Sequence, residues 1–374
     1  MKACTKMPAT SNPPAEILVP LDERYFQTSE MPILEMGDFT ASTFRYASGI
    51  AAIRIRSPRV EIIVLPFMGQ QVWRASFDGH DASMLSMFDE PRTTDQFLET
   101  YGAFFIHCGL TGMGAPGPQD NHPLHGELPL AKFTNPRLHC DPVAGRIKLL
   151  GTYRHSVAFS TNYEVTTSVS LEAREADAEI GIEVQNLRDK TLDLLYLGHA
   201  NFRPIEGSNL VYSAHYTPEE VAIRKSIPSH IKPSESYLET LDRLAIDPTL
   251  HHSISPELIC DPELVFALKM LPDTNGWAHA LQVHPEGTAD YISYDTTSLP
   301  MAIRWLCRTG DQQGLGLALP STSGVEGYSV EKSAGRFVCV APKAVWQANI
   351  KVGRLSSSDA SSMMHKIEQI CGRI

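Results

Sequence analysis

Nowhere do these 374 residues contain a run of about 18 apolar side chains, so no membrane-spanning helix is expected. The first residues, Met1-Lys2-Ala3-Cys4-Thr5-Lys6-Met7-Pro8, lack the apolar stretch of a secretory signal. No Cys-x-x-Cys pair occurs. The seven cysteines (Cys4, Cys108, Cys140, Cys260, Cys307, Cys339, Cys371) are scattered and odd in number. They read as free thiols in a reducing cytoplasm rather than as a disulfide frame or a zinc knuckle. Positive charge is in deficit: 32 Lys and Arg face 43 Asp and Glu, a formal net charge of −11. That argues against a nucleic-acid partner or an anionic membrane surface. There is no Gly-x-x-x-x-Gly-Lys-Ser/Thr loop. The glycine-rich stretch Gly112-Met113-Gly114-Ala115-Pro116-Gly117 places proline where a phosphate cradle needs an N–H donor. No Gly-x-Ser-x-Gly elbow marks a nucleophile. His107 and Cys108 are adjacent, so on a strand they face opposite ways and make no thiol–imidazole pair. No repeat of 20–50 residues and no low-complexity segment is visible.

What is present is enough apolar material for a core: 43% hydrophobic against 20% charged residues. Its dominant rhythm is period two. Ile53 and Ile55 alternate with Arg54 and Arg56, and Val60-Glu61-Ile62-Ile63-Val64-Leu65-Pro66 follows, with Gly69 and Asp78-Gly79 as turns. Thr161–Ala173 alternates Tyr163, Val165, Val169 and Leu171 with polar residues, and residues 179–184 and 192–202 continue the pattern. Further strands are expected at Ala278–Val283, Ala289–Tyr294, Met301–Cys307, Gly314–Leu319, Phe337–Val340 and Trp346–Val352. Residues 120–129 hold too many Pro and Gly for a helix and read as loop. Between Ser213 and Thr274 short helices and long loops are expected. The tail carries Met363, Ile367, Ile370, Cys371 and Ile374 on one helical stripe, with Ser358 or Asp359 as N-cap. That stripe packs either on this chain or on a second copy in a homodimer. The fold class is therefore all-β, a large antiparallel sandwich with few short helices and a C-terminal helix. Residues 1–44, Pro-rich at the start, are expected as an N-terminal arm, 45–353 as the sandwich and 354–374 as the helical tail.

Two histidines stand out because each lies where an extended run meets a polar turn. His125 sits in Asn121-His122-Pro123-Leu124-His125-Gly126-Glu127, and His199 in Tyr196-Leu197-Gly198-His199-Ala200-Asn201-Phe202. An imidazole, with an ordinary pKa of about 6.5, gives and takes a proton at neutral pH. If residues 125–127 are extended, His125 and Glu127 leave the same face with Cα atoms about 6.6 Å apart, and His122 faces the other way. Arg74, Arg203, Arg304 and Arg308 are candidate anion binders, Arg203 foremost because it follows His199 by four.

Several segments resemble the galactose mutarotase-like superfamily, and within it an aldose 1-epimerase-like branch catalogued as a domain of unknown function. They are Gly49 to Gly79, with Val64-Leu65-Pro66, Gly69 and Phe77-Asp78-Gly79, then Cys108-Gly109-Leu110-Thr111 and Leu124-His125-Gly126. Leu197-Gly198-His199-Ala200-Asn201-Phe202 and Gly314-Leu315-Gly316-Leu317-Ala318-Leu319-Pro320-Ser321-Thr322 complete the set. The likeness spans residues 45 to 353. It implies a β-supersandwich whose concave face holds a sugar. It also implies an aldose 1-epimerase mechanism in which a carboxylate takes the anomeric proton while a histidine protonates the ring oxygen. His199 would then be the general acid and His125 would orient the substrate.

The family's base is a glutamate in the last of those segments, where this chain has Ala318. A positioned base contributes roughly 10²–10⁴-fold, about 3–5 kcal/mol of barrier. Glu127, Glu326 and Asp295 are the candidate replacements, although Asp295 fits better as the start of an Asp-Thr-Thr-Ser turn. His122, Asn201, Arg203, Arg304 and Glu326 are expected as substrate-binding residues. Three readings stay open: an isomerase acting on an aldose or sugar acid without a cofactor, a metal-assisted sugar isomerase or lyase using His122, His125, Glu127 and His199 on a divalent ion, and a carbohydrate-binding protein that has lost the base.

Overall fold

The computed structural model describes residues 16–227 and 232–373. Two large antiparallel sheets face each other across one core. The nine-stranded sheet runs, edge to edge, through Ile17–Pro20, Thr134–Asp141, Arg146–Val157, Thr161–Glu172, Asp177–Asn186, Val345–Leu355, Ala289–Asp295, Trp277–Val283 and Asn209–Tyr212. The larger sheet is thirteen-stranded. At its centre Gln313–Ser321, Leu192–Ala200, Phe105–Leu110 and Val72–Phe77 lie side by side, with Met301–Arg308 and Leu264–Leu268 beyond Gln313–Ser321.

The alternation in the sequence is the alternation of burial. On Thr161–Glu172, Tyr163, Val165, Val169 and Leu171 are buried, and Thr166 and Ser168 between them are not. Strands such as Leu192–Ala200 and Gln313–Ser321 are buried on both faces, because loops cover the outer side of the large sheet. This is the all-β sandwich expected from the sequence, with a C-terminal helix at Ser357–Ile370 and a helix at Glu235–Ile246 capped by Ser234.

Two expectations need correction. Residues 17–45 are not an arm laid on the surface. Ile17–Pro20 pairs with Thr134–Asp141, and Met31–Met36 and Phe39–Arg45 extend the large sheet. Proline at Pro20 and Pro32 masked them as strands, but both stand on edge strands, where a missing N–H costs no ladder bond. Residues 1–15 lie outside the described residues. The tail helix is capped by Ser356, two residues earlier than expected, whose Oγ accepts from Asp359 N. It packs on its own chain: Ala360, Ile367 and Cys371 join Leu281, Ala289 and Tyr291 in a small satellite core. The six described cysteines are free thiols. No helix among the described residues is long and apolar enough to cross a membrane.

Candidate active site

The strand Leu192–Ala200 carries His199, and its neighbour Gly198 fixes which way the ring points. A Cβ on Gly198 would lie 2.5 Å from Ile350 Cδ1, so that position faces the nine-stranded sheet. His199, one residue on, therefore points away from the sandwich core, onto the outer face of the large sheet. There it is covered by Tyr101 and Trp305, with ring centroids 5.8 and 5.6 Å from its own.

His125 reaches the same place from a turn. Its φ is +58° and that of Gly126 +75°, and the turn is pinned to the sheet because Gly109 N donates to His125 O and His125 N donates to Gly114 O. The two imidazoles meet edge to face with centroids 5.9 Å apart, and Phe97 lies 5.4 Å from His125. The two distant histidines thus come together ring against ring.

Asn201 orders the pair's polar side. Its Nδ2 donates to Ala103 O at 2.9 Å, which leaves Oδ1 to accept from the Tyr101 hydroxyl at 3.2 Å. That hydroxyl is also 3.4 Å from His199 Nε2. Nδ1 of His125 and Nδ1 of His199 are both buried without a hydrogen-bond partner. Burial pushes the His199 pKa down to about 3 and that of His125 to about 4; a charge on His125 would further disfavour one on His199, and His122 and Arg224 further disfavour one on His125. Both rings are therefore neutral at pH 7, each with one donor and one acceptor nitrogen. An unpaired buried polar atom costs about 1–3 kcal/mol, so this nest is poised to accept a polar ligand.

Two carboxylates border the nest. Trp305 Nε1 donates to Glu263 Oε2 at 2.8 Å, which ties Glu263 to the ring that covers His199. Glu326 is ion-paired to Arg224 at 2.9 Å, and Arg224 is close enough to bear on His125.

Other expected site residues lie elsewhere. Because residues 125–127 form a turn and not a strand, Glu127 does not share a face with His125. Its carboxylate accepts from Thr111 N and Oγ1 and, at 2.5 Å, from the Tyr163 hydroxyl. His122 donates from Nδ1 to Pro123 O and accepts at Nε2 from Tyr328 N. Both line a separate polar hollow of about 720 Å³. The set His122, His125, Glu127 and His199 is thus split between two places and does not gather around one ion.

Arg203 is occupied by Asp81 and Ser83 O. Arg304 is fully buried, giving two bonds to Leu317 O and one to His251, with its guanidinium 3.9 Å over the Tyr212 ring. It is a core residue, not an anion binder. Arg74 donates to backbone carbonyls, and Arg308 to Ser255 O and Glu206. Asp295 accepts from Thr297 N and Ser298, as its turn role requires. Ala318 is fully buried and puts no proton acceptor on its strand.

Sequence reasoning missed Phe97, Tyr101, Arg224, Glu263 and Trp305. Tyr101 and Phe97 come from an irregular segment with a short 3₁₀ turn. Trp305 lies on a strand, where period two alone does not say which face is the core. Nothing marked Glu263, just before the strand Leu264–Leu268.

Solved structures with the same fold are similar to this chain over most of its length. An aldose 1-epimerase candidate from Klebsiella pneumoniae superposes with a TM-score of 0.75 at 18% identity, covering 96% of this chain and 96% of its own. A galactose mutarotase-like protein from Clostridium acetobutylicum gives 0.58 at 14% identity, covering 85% of this chain and 98% of its own. An aldose 1-epimerase candidate from Escherichia coli K12 gives 0.51 at 13%, covering 80% and 97%. At these identities the likeness establishes the galactose mutarotase-like fold and not an activity. No curated protein matches the chain. A family model described as a domain of unknown function, DUF4432, matches residues 47–244, more than half of the sequence, and the chain belongs to that family.

Proposed function

We propose that this chain is a carbohydrate-active isomerase of the aldose 1-epimerase type, acting on a sugar or sugar acid bound against His125 and His199. The observation that carries the reading is the pair of imidazoles, His199 buried and His125 half-buried, with ring centroids 5.9 Å apart and an unpaired Nδ1 on each. Sugars present hydroxyls that pair such nitrogens and C–H faces that pack on rings such as Phe97, Tyr101 and Trp305.

Ring opening needs a proton delivered to the ring oxygen and one removed from the anomeric hydroxyl. His199 gives its Nε2–H to the Tyr101 hydroxyl, which itself donates to Asn201, so it turns its unpaired Nδ1 to the sugar as an acceptor that orients a hydroxyl; the proton that the base takes from the anomeric hydroxyl is the one it returns to the ring oxygen. His125, whose ring touches that of His199, binds the substrate beside it through its own unpaired Nδ1. The base is Glu263, the carboxylate that Trp305 holds beside the nest, in place of the glutamate missing at Ala318.

The test is anomer exchange, followed by saturation-transfer NMR across a panel of aldoses and uronic acids, in wild type and in His199→Ala. Exchange faster than the spontaneous rate and lost in the variant supports the reading. Ala318 favours a second reading, a binding protein without the base. Sugar-induced protection of the Trp305 fluorescence with no acceleration of exchange would select it.

A further inference from the structure

A second cluster of histidine and carboxylate side chains is built from both sheets. His80 comes from the hairpin that ends Val72–Phe77 in the large sheet. His284 and Asp290 come from the hairpin Trp277–Val283/Ala289–Asp295 in the nine-stranded sheet. One ligand atom from each of the three lies within 4.8 Å of the others. His80 Nε2 is 3.8 Å from Asp290 Oδ1, and both atoms are buried with no hydrogen-bond partner. Asp290 is fully buried, so its unpaired oxygen is a costly feature for the fold to keep empty.

His284 is oriented as a ligand would be. Its Nδ1 faces the Glu286 carboxylate and the Thr288 hydroxyl, each at 3.4 Å, contacts that would hold the ring in place once Nε2 takes an ion. That Nε2 is hydrogen-bonded to Asp290 Oδ2 at 3.0 Å, an oxygen that also accepts from Gln282 Nε2 at 2.8 Å, so an ion would take the place of the Nε2 proton. Asp290 Oδ1 has no such donor, and Arg354 does not reach it within hydrogen-bond distance. Its Nη2 is held by Thr288 and Glu286, and its Nη1 stays 3.9 Å from Asp290 Oδ1, itself unpaired. Two carboxylates against one guanidinium leave the pocket a net negative charge.

We propose that His80, His284 and Asp290 form a site for a divalent first-row transition metal of the zinc class, which ties the two sheets together. Two imidazole nitrogens and one carboxylate oxygen suit such an ion, with solvent completing the tetrahedron. Ligand atoms around a tetrahedral zinc stand roughly 3.3 Å apart, given bond lengths near 2.0–2.1 Å. The 3.8 Å gap therefore has to close by about half an ångström, and His80, at a hairpin tip, is the residue able to move.

The experiment uses the untagged full-length chain, stripped with chelator and titrated with Co²⁺ and Zn²⁺. One ion per chain is expected, with a tetrahedral Co²⁺ absorption spectrum displaced by Zn²⁺ and a melting temperature that rises with free metal. His80→Ala, the least buried of the three, should keep its circular dichroism and lose at least tenfold in affinity, and His284→Gln should do the same. His125→Ala should titrate as wild type. No Co²⁺ spectrum with excess ion, or binding unchanged in both His80→Ala and His284→Gln, or lost in His125→Ala, overturns the site.

Discussion

The indole N–H of Trp305 holds Glu263 at 2.8 Å while the same ring lies 5.6 Å from His199, so one side chain links a carboxylate to the imidazole pair. If Glu263 is the base, Glu263→Gln should lower anomer exchange by about 10²–10⁴-fold and leave sugar binding within a few fold. Trp305→Phe keeps the aromatic cover and removes the N–H, so it should lower the turnover rate more than it weakens binding. Saturation-transfer NMR with a binding titration on the same samples checks both. A Glu263→Gln variant that exchanges anomers at the wild-type rate removes Glu263 from the mechanism.

The imidazoles also make stability depend on pH in a defined direction. His199 is held near pKa 3 in the fold and returns to about 6.5 when unfolded. Below pH 6.5 the unfolded chain therefore binds a proton that the native chain refuses, and stability falls with acid. The His199 contribution is intact above pH 6.5 and is lost progressively down to its folded pKa, on the order of 5 kcal/mol in all. Urea unfolding at pH 7.5 and pH 5 should show wild type losing more stability than His199→Phe, which has no proton to take up. Equal losses would mean that the ring is not kept neutral by burial.

Arg304 separates a core role from a binding role. Its guanidinium is fully buried, satisfies Leu317 O twice and His251 once, and meets no carboxylate. Arg304→Leu removes a buried charge but leaves Leu317 O and His251 Nε2 unpaired, so a loss of about 3–5 kcal/mol is expected. The melting temperature should drop, while activity per folded molecule at low temperature stays near wild type. A variant of normal stability with weakened sugar binding would restore the anion-binding reading.

How much of this was legible from residues alone depended on whether the signal was local. Period-two runs such as Thr161–Ala173 gave strands because each face of the sheet selects its own residue type. His125 and His199 were visible because each breaks an apolar run at a turn. The face of Glu127 was not visible, since it depended on residues 125–127 being extended, and Gly126 lets the chain turn with positive φ instead. Arg304 read as a candidate anion binder because its partners, a carbonyl and a histidine 53 residues away, exist only in the folded sandwich. Glu263 and Trp305 carry no periodic mark at all, and their pairing is a product of strand order.

The motif Cys108-Gly109-Leu110-Thr111 gives a last test, because its glycine is needed by geometry. Gly109 has φ +104°, and a Cβ there would lie 1.9 Å from the carbonyl oxygen of Leu195 on the neighbouring strand. That oxygen belongs to backbone paired along Leu192–Ala200, so it cannot move without moving the strand that carries His199. The Gly109 N–H also donates to His125 O, which ties the same residue to the turn that delivers the second imidazole. Gly109→Ala should therefore damage fold and site together, with a stability loss above about 4 kcal/mol, beyond the range of ordinary substitutions. Gly145→Ala, at a turn with φ +62° and no atom nearer than 3.8 Å, should cost about 1 kcal/mol or a little more from backbone strain alone. Denaturant curves on the two variants compare a steric demand with a merely conformational one. Equal losses would mean that the close approach of Gly109 to Leu195 is not what holds the two histidine-bearing segments in register.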